Sequence, residues 1–300
     1  MNESLEPETL TNSNPNFLEG ISDFSDNFDA FIIDLWGVLH DGTSPYPDAI
    51  ECLNKLKSNG KKIILLSNAP RQSHKAEKVL TDMGFTKDSY DFLLTSGQVT
   101  HDYMSVTSNF GTNKYYYIGP EKDEDIIEDL EKYSRVTDPK DADFVIVTGF
   151  DNFGDKLEAK LPEAKLCLEA GLPMVCANPD RIVVKQDGRT MLCAGIIAEW
   201  YAHNGGRVQY FGKPYNDAYQ ECFELLEILD PSTVAAIGDS LHTDIDGAKD
   251  HGIFSVLITG GILADELGAK YGEFPDLKQL INICDKEGVT PDVIIPAFKW

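Results

Sequence analysis

Short, continuous apolar runs, each ended at once by a polar residue or a glycine, alternate with amphipathic stretches along this chain. Phe31-Ile32-Ile33 stops at Asp34, and Lys62-Ile63-Ile64-Leu65-Leu66 stops at Ser67. Between them Pro47 opens a segment whose Ala49, Leu53 and Leu56 recur at helical spacing until Gly60 closes it. A helix from Ser73 to Met83 and a strand Phe92-Leu93-Leu94 are predicted next. Uninterrupted apolar strands separated by helices specify a parallel sheet covered on both faces. The later part repeats the pattern. Val208-Gln209-Tyr210-Phe211 precedes Gly212-Lys213-Pro214, Val234-Ala235-Ala236-Ile237 precedes Gly238-Asp239, and the run from Phe254 to Ile258 precedes Thr259-Gly260-Gly261. In open α/β sheets, sites lie beyond the carboxyl ends of the strands. Asp34, Ser67, Lys213 and Asp239 all hold that kind of position.

The middle of the chain has its own alternation. Strands are predicted at Lys114–Ile118, Phe144–Val147 and Pro173–Cys176, with an acidic helix from Glu124 to Tyr133 and a helix from Leu157 to Ala170. Arg181 to Cys193 reads as a short hairpin turning at Asp187-Gly188. The expected architecture is α/β: a Rossmann-like, doubly wound parallel-sheet core from residues 21–99 and 203–300, with an inserted α/β unit at 100–202. Residues 1–20, rich in Asn, Ser, Glu and Pro, are expected as a loosely held N-terminal arm. The tail Val293 to Phe298 is expected as a last edge strand, because Pro296 cannot donate a ladder bond.

Charge narrows the partners. With 50 Asp+Glu against 26 Lys+Arg the formal charge is −24. Such a chain offers no basic surface to a phosphate backbone, so a nucleic-acid binder is excluded, as is docking on anionic lipid. An acidic protein still binds anions where a local cation or a metal is supplied. No apolar run reaches the roughly 18–20 residues of a membrane span, and the N-terminus lacks the basic start and apolar core of a signal peptide. The six cysteines are scattered without metal-finger spacing and read as buried small hydrophobes of a reducing compartment. The expected location is cytoplasmic.

Taken singly, each candidate residue has an ordinary structural explanation. Asp34 at the end of a buried strand must be hydrogen-bonded, paired or metal-bound, and a helix N-cap would satisfy it. Asp239 and Asp244, five residues apart at a strand end and in the following turn, suit a hard cation such as Mg²⁺, but also an Asx-turn plus an N-cap. Ser67 suits an N-cap, and Lys213 a solvated surface. Taken together they carry more. A carboxylate, a hydroxyl, a lysine and a pair of acids, in that order, resemble the four motifs of the haloacid dehalogenase (HAD) superfamily. Asp34-Leu35-Trp36-Gly37-Val38-Leu39-His40-Asp41-Gly42, Ser67-Asn68-Ala69-Pro70 and Gly212-Lys213-Pro214 are similar to its class IIA branch. Within the insertion, Asn178-Pro179-Asp180 and Ala194-Gly195-Ile196 resemble segments of that branch's sugar-phosphate, nitrophenyl-phosphate and pyridoxal-phosphate phosphatases.

The resemblance implies a phosphomonoester hydrolase acting on a small phosphorylated metabolite, with a sugar phosphate as the default and a C2-type cap as the insertion. Asp34 would form an aspartyl-phosphate. Mg²⁺ would be held by Asp34, the Trp36 backbone carbonyl and Asp239. Ser67 and Asn68 would hold a phosphoryl oxygen, and Lys213 would neutralise developing charge. Asp244 would orient a metal-bound water or Lys213 from behind. Asn178, Asp180 and Arg181 are the implied substrate-facing residues of the cap, and association into a homodimer through the cap is implied as well. One position departs from the pattern. The family's phosphatases usually carry a second Asp two residues past the nucleophile, to protonate the leaving oxygen; here it is Trp36, whose indole offers only a donor N–H. Three readings stay open: a slow phosphatase, a substitute acid with His40, Asp41 and His242 the nearest in sequence, or a phospho-ligand binding or regulatory module without turnover. Halide displacement fits less well, because it has no use for the carboxylates Asp239 and Asp244.

Overall fold

The computed structural model describes residues 15–107 and 110–300. Its strands, in chain order, are β1 (Asn16–Phe17), β2 (Ala30–Ile33), β3 (Lys62–Ser67), β4 (Phe92–Thr95), β5 (Lys114–Ile118), β6 (Ser134–Arg135), β7 (Phe144–Val147), β8 (Met174–Cys176), β9 (Ile182–Val184), β10 (Thr190–Leu192), β11 (Val208–Tyr210), β12 (Val234–Gly238), β13 (Phe254–Ile258) and β14 (Val293–Ile295). Seven of them form one parallel sheet in the order β1-β14-β13-β12-β2-β3-β4. From β2 the chain winds outward through β3 and β4, and later from β12 outward through β13 and β14. The winding direction therefore reverses between β2 and β12, the kind of crevice where α/β sheets bind ligands.

Burial explains the uninterrupted strands. Phe31, Ile33, Ile63, Leu65, Ile237 and Val256 face one apolar cluster, which the helices Ala49–Ser58 and Ser73–Asp82 help to close. Ala30, Ile32, Ile64, Leu66 and Ala236 face the other, with the helix Asn216–Leu226. Both faces are thus dry, so alternation of polar and apolar residues would be penalised. A second parallel sheet, β11-β8-β7-β5-β6, carries the inserted residues, and β9 pairs antiparallel with β10 as a separate hairpin. The expected α/β class is observed.

Four expectations need correction. Val208–Tyr210 is not a strand of the large sheet; it is the edge of the inserted one, paired with β8. An apolar run declares that a strand exists but not which sheet receives it. Conversely, the helix Ser96–Val106 packs against β4, so the inserted sheet starts later than residue 100. Glu124 to Tyr133 is not an α-helix. Its backbone closes i to i+3 bonds, such as Leu130 N–H to the Ile127 carbonyl at 3.1 Å. Its acids, and Asp123 just before it, are pulled onto separate partners: Asp123 to Arg71, Asp125 to Lys75, and Asp129 to Gln72 and His101. Those tertiary pairings override a modest helix propensity. Finally, β14 lies inside the sheet, because β1 covers it in register Asn16 to Val293. The N-terminal arm therefore contributes a strand at residues 16–17; the rest of that expectation, residues 1–14, falls outside the described residues. All six cysteines are buried and free. Among the described residues, no helix is long and apolar enough to cross a membrane.

Candidate active site

Asp34, Ser67 and Asp239 stand at the carboxyl ends of the adjacent strands β2, β3 and β12, where the winding reverses. All three are buried. The Asp34 N–H donates to the Ile237 carbonyl at 2.9 Å, so pairing with β12 runs on to the residue that bears the carboxylate. Asp244 follows on a π-helical turn, Leu241–Ile245, of the sort that often re-aims side chains at functional sites. Lys213 arrives differently. It follows β11 and enters from the inserted unit, on the return crossing to the large sheet. Asn68 fixes it there: its Oδ1 accepts from the Lys213 N–H at 2.8 Å, and its Nδ2 donates to the Lys213 carbonyl at 3.1 Å.

The charges converge. Lys213 Nζ donates to Asp34 Oδ1 at 2.5 Å and to Asp244 Oδ1 at 2.7 Å. Burial acts to lower the ammonium pKa, but Asp244 and Asp34 outweigh it and hold the group well above the usual lysine range. Carboxylate oxygens of Asp34, Asp239 and Asp244 lie within 4.8 Å of one another. One lysine cannot neutralise three buried acids. Burial pushes Asp34 up to about 7, with Asp244 adding to the effect and Lys213 opposing it. Burial, then Asp34 and Asp244, push Asp239 well above the carboxylate range. Among the described residues, Asp239 accepts one hydrogen bond, from the Ile262 N–H at 2.7 Å. A Cβ at Gly37, where φ is +88°, would lie 1.8 Å from Asp239 Oδ2, and one at Gly261 would lie 2.1 Å from it. These glycines leave the carboxylate closely cradled yet short of positive charge. Oxygen donors with surplus negative charge fit a divalent cation.

The remaining predicted residues are placed as follows. Ser67 Oγ accepts from the Ala69 N–H at 3.2 Å, which leaves its own proton available. Asn178 Oδ1 accepts from the Asp180 N–H at 3.1 Å and so shapes its turn. Asp180 Oδ1 accepts from Asn68 Nδ2 at 2.8 Å. Arg181 is exposed, with Nε 3.4 Å from Glu199 Oε1. Trp36 turns its indole away from proton chemistry, donating from Nε1 to the Val184 carbonyl of β9 at 2.7 Å. Lys185 reaches Thr43 Oγ1 at 2.6 Å, and the Gln186 N–H donates to Asp41 Oδ2 at 3.3 Å. The β9-β10 hairpin is thereby fastened over the site.

A cavity of about 880 Å³ lies between these elements and includes Asp34, Ser67, Lys213, Asp239, Asp180 and Trp36 in its wall. Two contributors escaped sequence reasoning. Ile262 supplies the amide to Asp239; its only signal was the glycine pair just before it. Arg71 lines the cavity and faces Asp123 with Nη2 3.2 Å from Oδ1. Its signal was its place immediately after Ser67-Asn68-Ala69-Pro70.

This geometry has relatives. A family model described as haloacid dehalogenase-like hydrolase matches residues 31–132, and a second, HAD-hydrolase-like, matches 210–280. Sugar-phosphatase AraL of Bacillus subtilis (strain 168) is 26% identical over 273 residues, covering 89% of this chain and 90% of that protein. An acid sugar phosphatase of Staphylococcus saprophyticus is 25% identical over 268 residues, covering 87% of this chain and 99% of that one. The crystal structure of a haloacid dehalogenase-like hydrolase from Brucella suis 1330 superposes with a TM-score of 0.79 at 29% identity, covering 94% of this chain and 99% of that one. The two family matches together carry Asp34, Ser67, Lys213, Asp239 and Asp244, the residues that meet at the crevice, so the chain belongs to the haloacid dehalogenase superfamily, in its class IIA, sugar-phosphatase-like branch, and is a phosphomonoester hydrolase.

Proposed function

We propose that this chain is a Mg²⁺-dependent phosphatase of a small phosphorylated metabolite, working through an aspartyl-phosphate at Asp34. The observation that carries the reading is the buried group of Asp34, Asp239 and Asp244, spanned on one side by Lys213 and short of positive charge. A divalent cation would be held by Asp34, Asp239 and the Trp36 carbonyl, and supplies charge cancellation between a carboxylate nucleophile and a phosphate dianion. Asp34 attacks phosphorus and splits one displacement into two. Lys213 offsets the charge that grows on the phosphoryl oxygens. Ser67, with its free hydroxyl proton, and the Asn68 segment hold a phosphoryl oxygen. Asp244 aims Lys213, the role its 2.7 Å contact supports.

Sugar phosphates are the favoured substrates because the relatives above are named for them. A panel of sugar phosphates with Mg²⁺ should release inorganic phosphate, and Asp34→Asn should abolish release. Unchanged turnover in that variant would refute the mechanism. A phospho-ligand binding module is the second reading, favoured by the commitment of Trp36 to Val184. It predicts thermal stabilisation by phosphorylated metabolites without phosphate release, and turnover at ordinary enzyme rates would exclude it.

A further inference from the structure

Proton delivery to the leaving oxygen has no owner among Trp36, His40, Asp41 and His242. The Trp36 N–H is spent on Val184. His40 is buried, with Nδ1 accepting from the Gly42 N–H at 2.9 Å. Asp41 accepts from the Thr43 and Ser44 N–H groups, both at 2.9 Å, and from Gln186. His242 Nε2 lies 2.9 Å from Glu287 Oε2. Three carboxyl groups of the cap line the cavity; Asp123 is paired with Arg71 and Glu199 with Arg181, which leaves Asp180. Asp180 Oδ1 is one hydrogen bond from Asn68, the residue that follows Ser67 and grips Lys213. Its backbone is fixed on both sides: the N–H donates to Asn178 Oδ1, and the carbonyl accepts from the Gly195 N–H at 3.0 Å. A Cβ at Gly195 would lie 2.5 Å from that carbonyl oxygen, so the turn sits tightly on the helix Ala194–His203.

We propose that Asp180 of the cap is the proton donor to the leaving oxygen, in place of the side chain at position 36. The proposal rests on Asp34 as nucleophile. As the Asp34 oxygen bonds to phosphorus, the bond from phosphorus to the ester oxygen breaks. That oxygen takes the proton of the Asp180 carboxyl and leaves as an alcohol. Asp180, now a carboxylate, accepts a proton from water as the water oxygen bonds to phosphorus. The bond from phosphorus to Asp34 breaks, and phosphate, the Asp34 carboxylate and protonated Asp180 result. The surroundings suit both halves. Burial pushes Asp180 up to about 6, with Lys213 and the Asn68 hydrogen bond opposing and Asp244 assisting. Thr243 and Asp34 of the core face it as well, and so do Cys176 and Cys193 of the cap, whose buried thiols are held above their usual range.

Asp180→Asn tests this, because an amide oxygen can still accept from Asn68 and preserve the tie between core and cap. Full-length protein with Mg²⁺ is assayed on 4-nitrophenyl phosphate, whose leaving group needs no proton, and on alkyl phosphates such as glycerol phosphate. The expected result is a loss of roughly 10²–10⁴-fold in kcat for the alkyl ester, with less than about a tenfold loss for the aryl ester. The alkaline fall in the wild-type pH profile for the alkyl ester should also disappear. Asp180→Glu, which retains a carboxyl, should recover part of the alkyl activity. Equal losses on both esters would overturn the proposal and leave Asp180 as a structural tie. Absence of phosphate release by the wild-type protein from either ester would overturn the phosphatase reading, and this proposal with it.

Discussion

Three buried acids share one lysine, and that imbalance has a measurable cost at single residues. Replacing Asp34 by Asn removes a carboxylate from a cluster that Lys213 cannot neutralise, while Lys213 keeps Asp244. In metal-free protein, Asp34→Asn is expected to gain roughly 0.5–2 kcal/mol in denaturant unfolding while losing turnover, the usual trade at an active site. His40 makes a second, independent prediction. Burial holds its imidazole down at about 4, Asp41 acting against burial and Arg71 with it. Its Nδ1 must stay unprotonated to accept from Gly42. The unfolded chain therefore binds this proton more readily. The contribution is complete above the ordinary value of 6.5 and is lost as pH falls toward 4. The depressed value corresponds to about 3 kcal/mol. Thermal scans between pH 7 and 4 should show a shallower acid decline for His40→Gln than for the wild type. Asp34, Ser67 and Asp239 were legible in sequence because each directly ends an apolar strand. The partners of Trp36 were not, since Val184 lies 148 residues away and nothing local marks it.

At the scale of elements, the β9-β10 hairpin is a fastening. Trp36, Thr43 and Asp41 grip three consecutive residues of it, Val184, Lys185 and Gln186. Trp36→Phe keeps an aromatic ring but leaves the Val184 carbonyl without its donor. A net loss of about 1 kcal/mol corresponds to roughly fivefold faster hydrogen exchange across residues 182–192, with β2 and β3 unaffected. Exchange that stays unchanged in the hairpin would show that the remaining contacts suffice. The hairpin itself was readable, because Asp187-Gly188 is a turn signal between apolar triplets. The acidic stretch after Pro120 misled, because its charges look like a solvated helix face. They are in fact spent on Arg71, Lys75 and His101 of the core.

Across the whole molecule, the charge of −24 acquires a consequence at the crevice. Lys213 is enclosed by carboxylates, so phosphate monoesters should bind far more weakly after chelation of divalent cations. Titration calorimetry with and without Mg²⁺, using Asp34→Asn to prevent turnover, would measure this directly. Arg71, Lys122, Arg181 and Lys185 also line the cavity, and affinity that survives chelation would point to them. The two sheets are less separable than the alternation of the sequence suggested. One apolar cluster runs from Ile32 and Leu66 through Met104 to Tyr133, Phe144 and Ile146 of the inserted unit. Tyr133 donates its hydroxyl to the Met104 carbonyl at 3.0 Å, and Tyr103 packs on Phe211 with ring centroids 4.8 Å apart. The helix Ser96–Val106 is therefore greasy on two sides, one for each sheet. Excising the insertion would not return a smaller, self-sufficient protein. It would leave that helix with a bare apolar flank, and the shortened chain is expected to be recovered as aggregate.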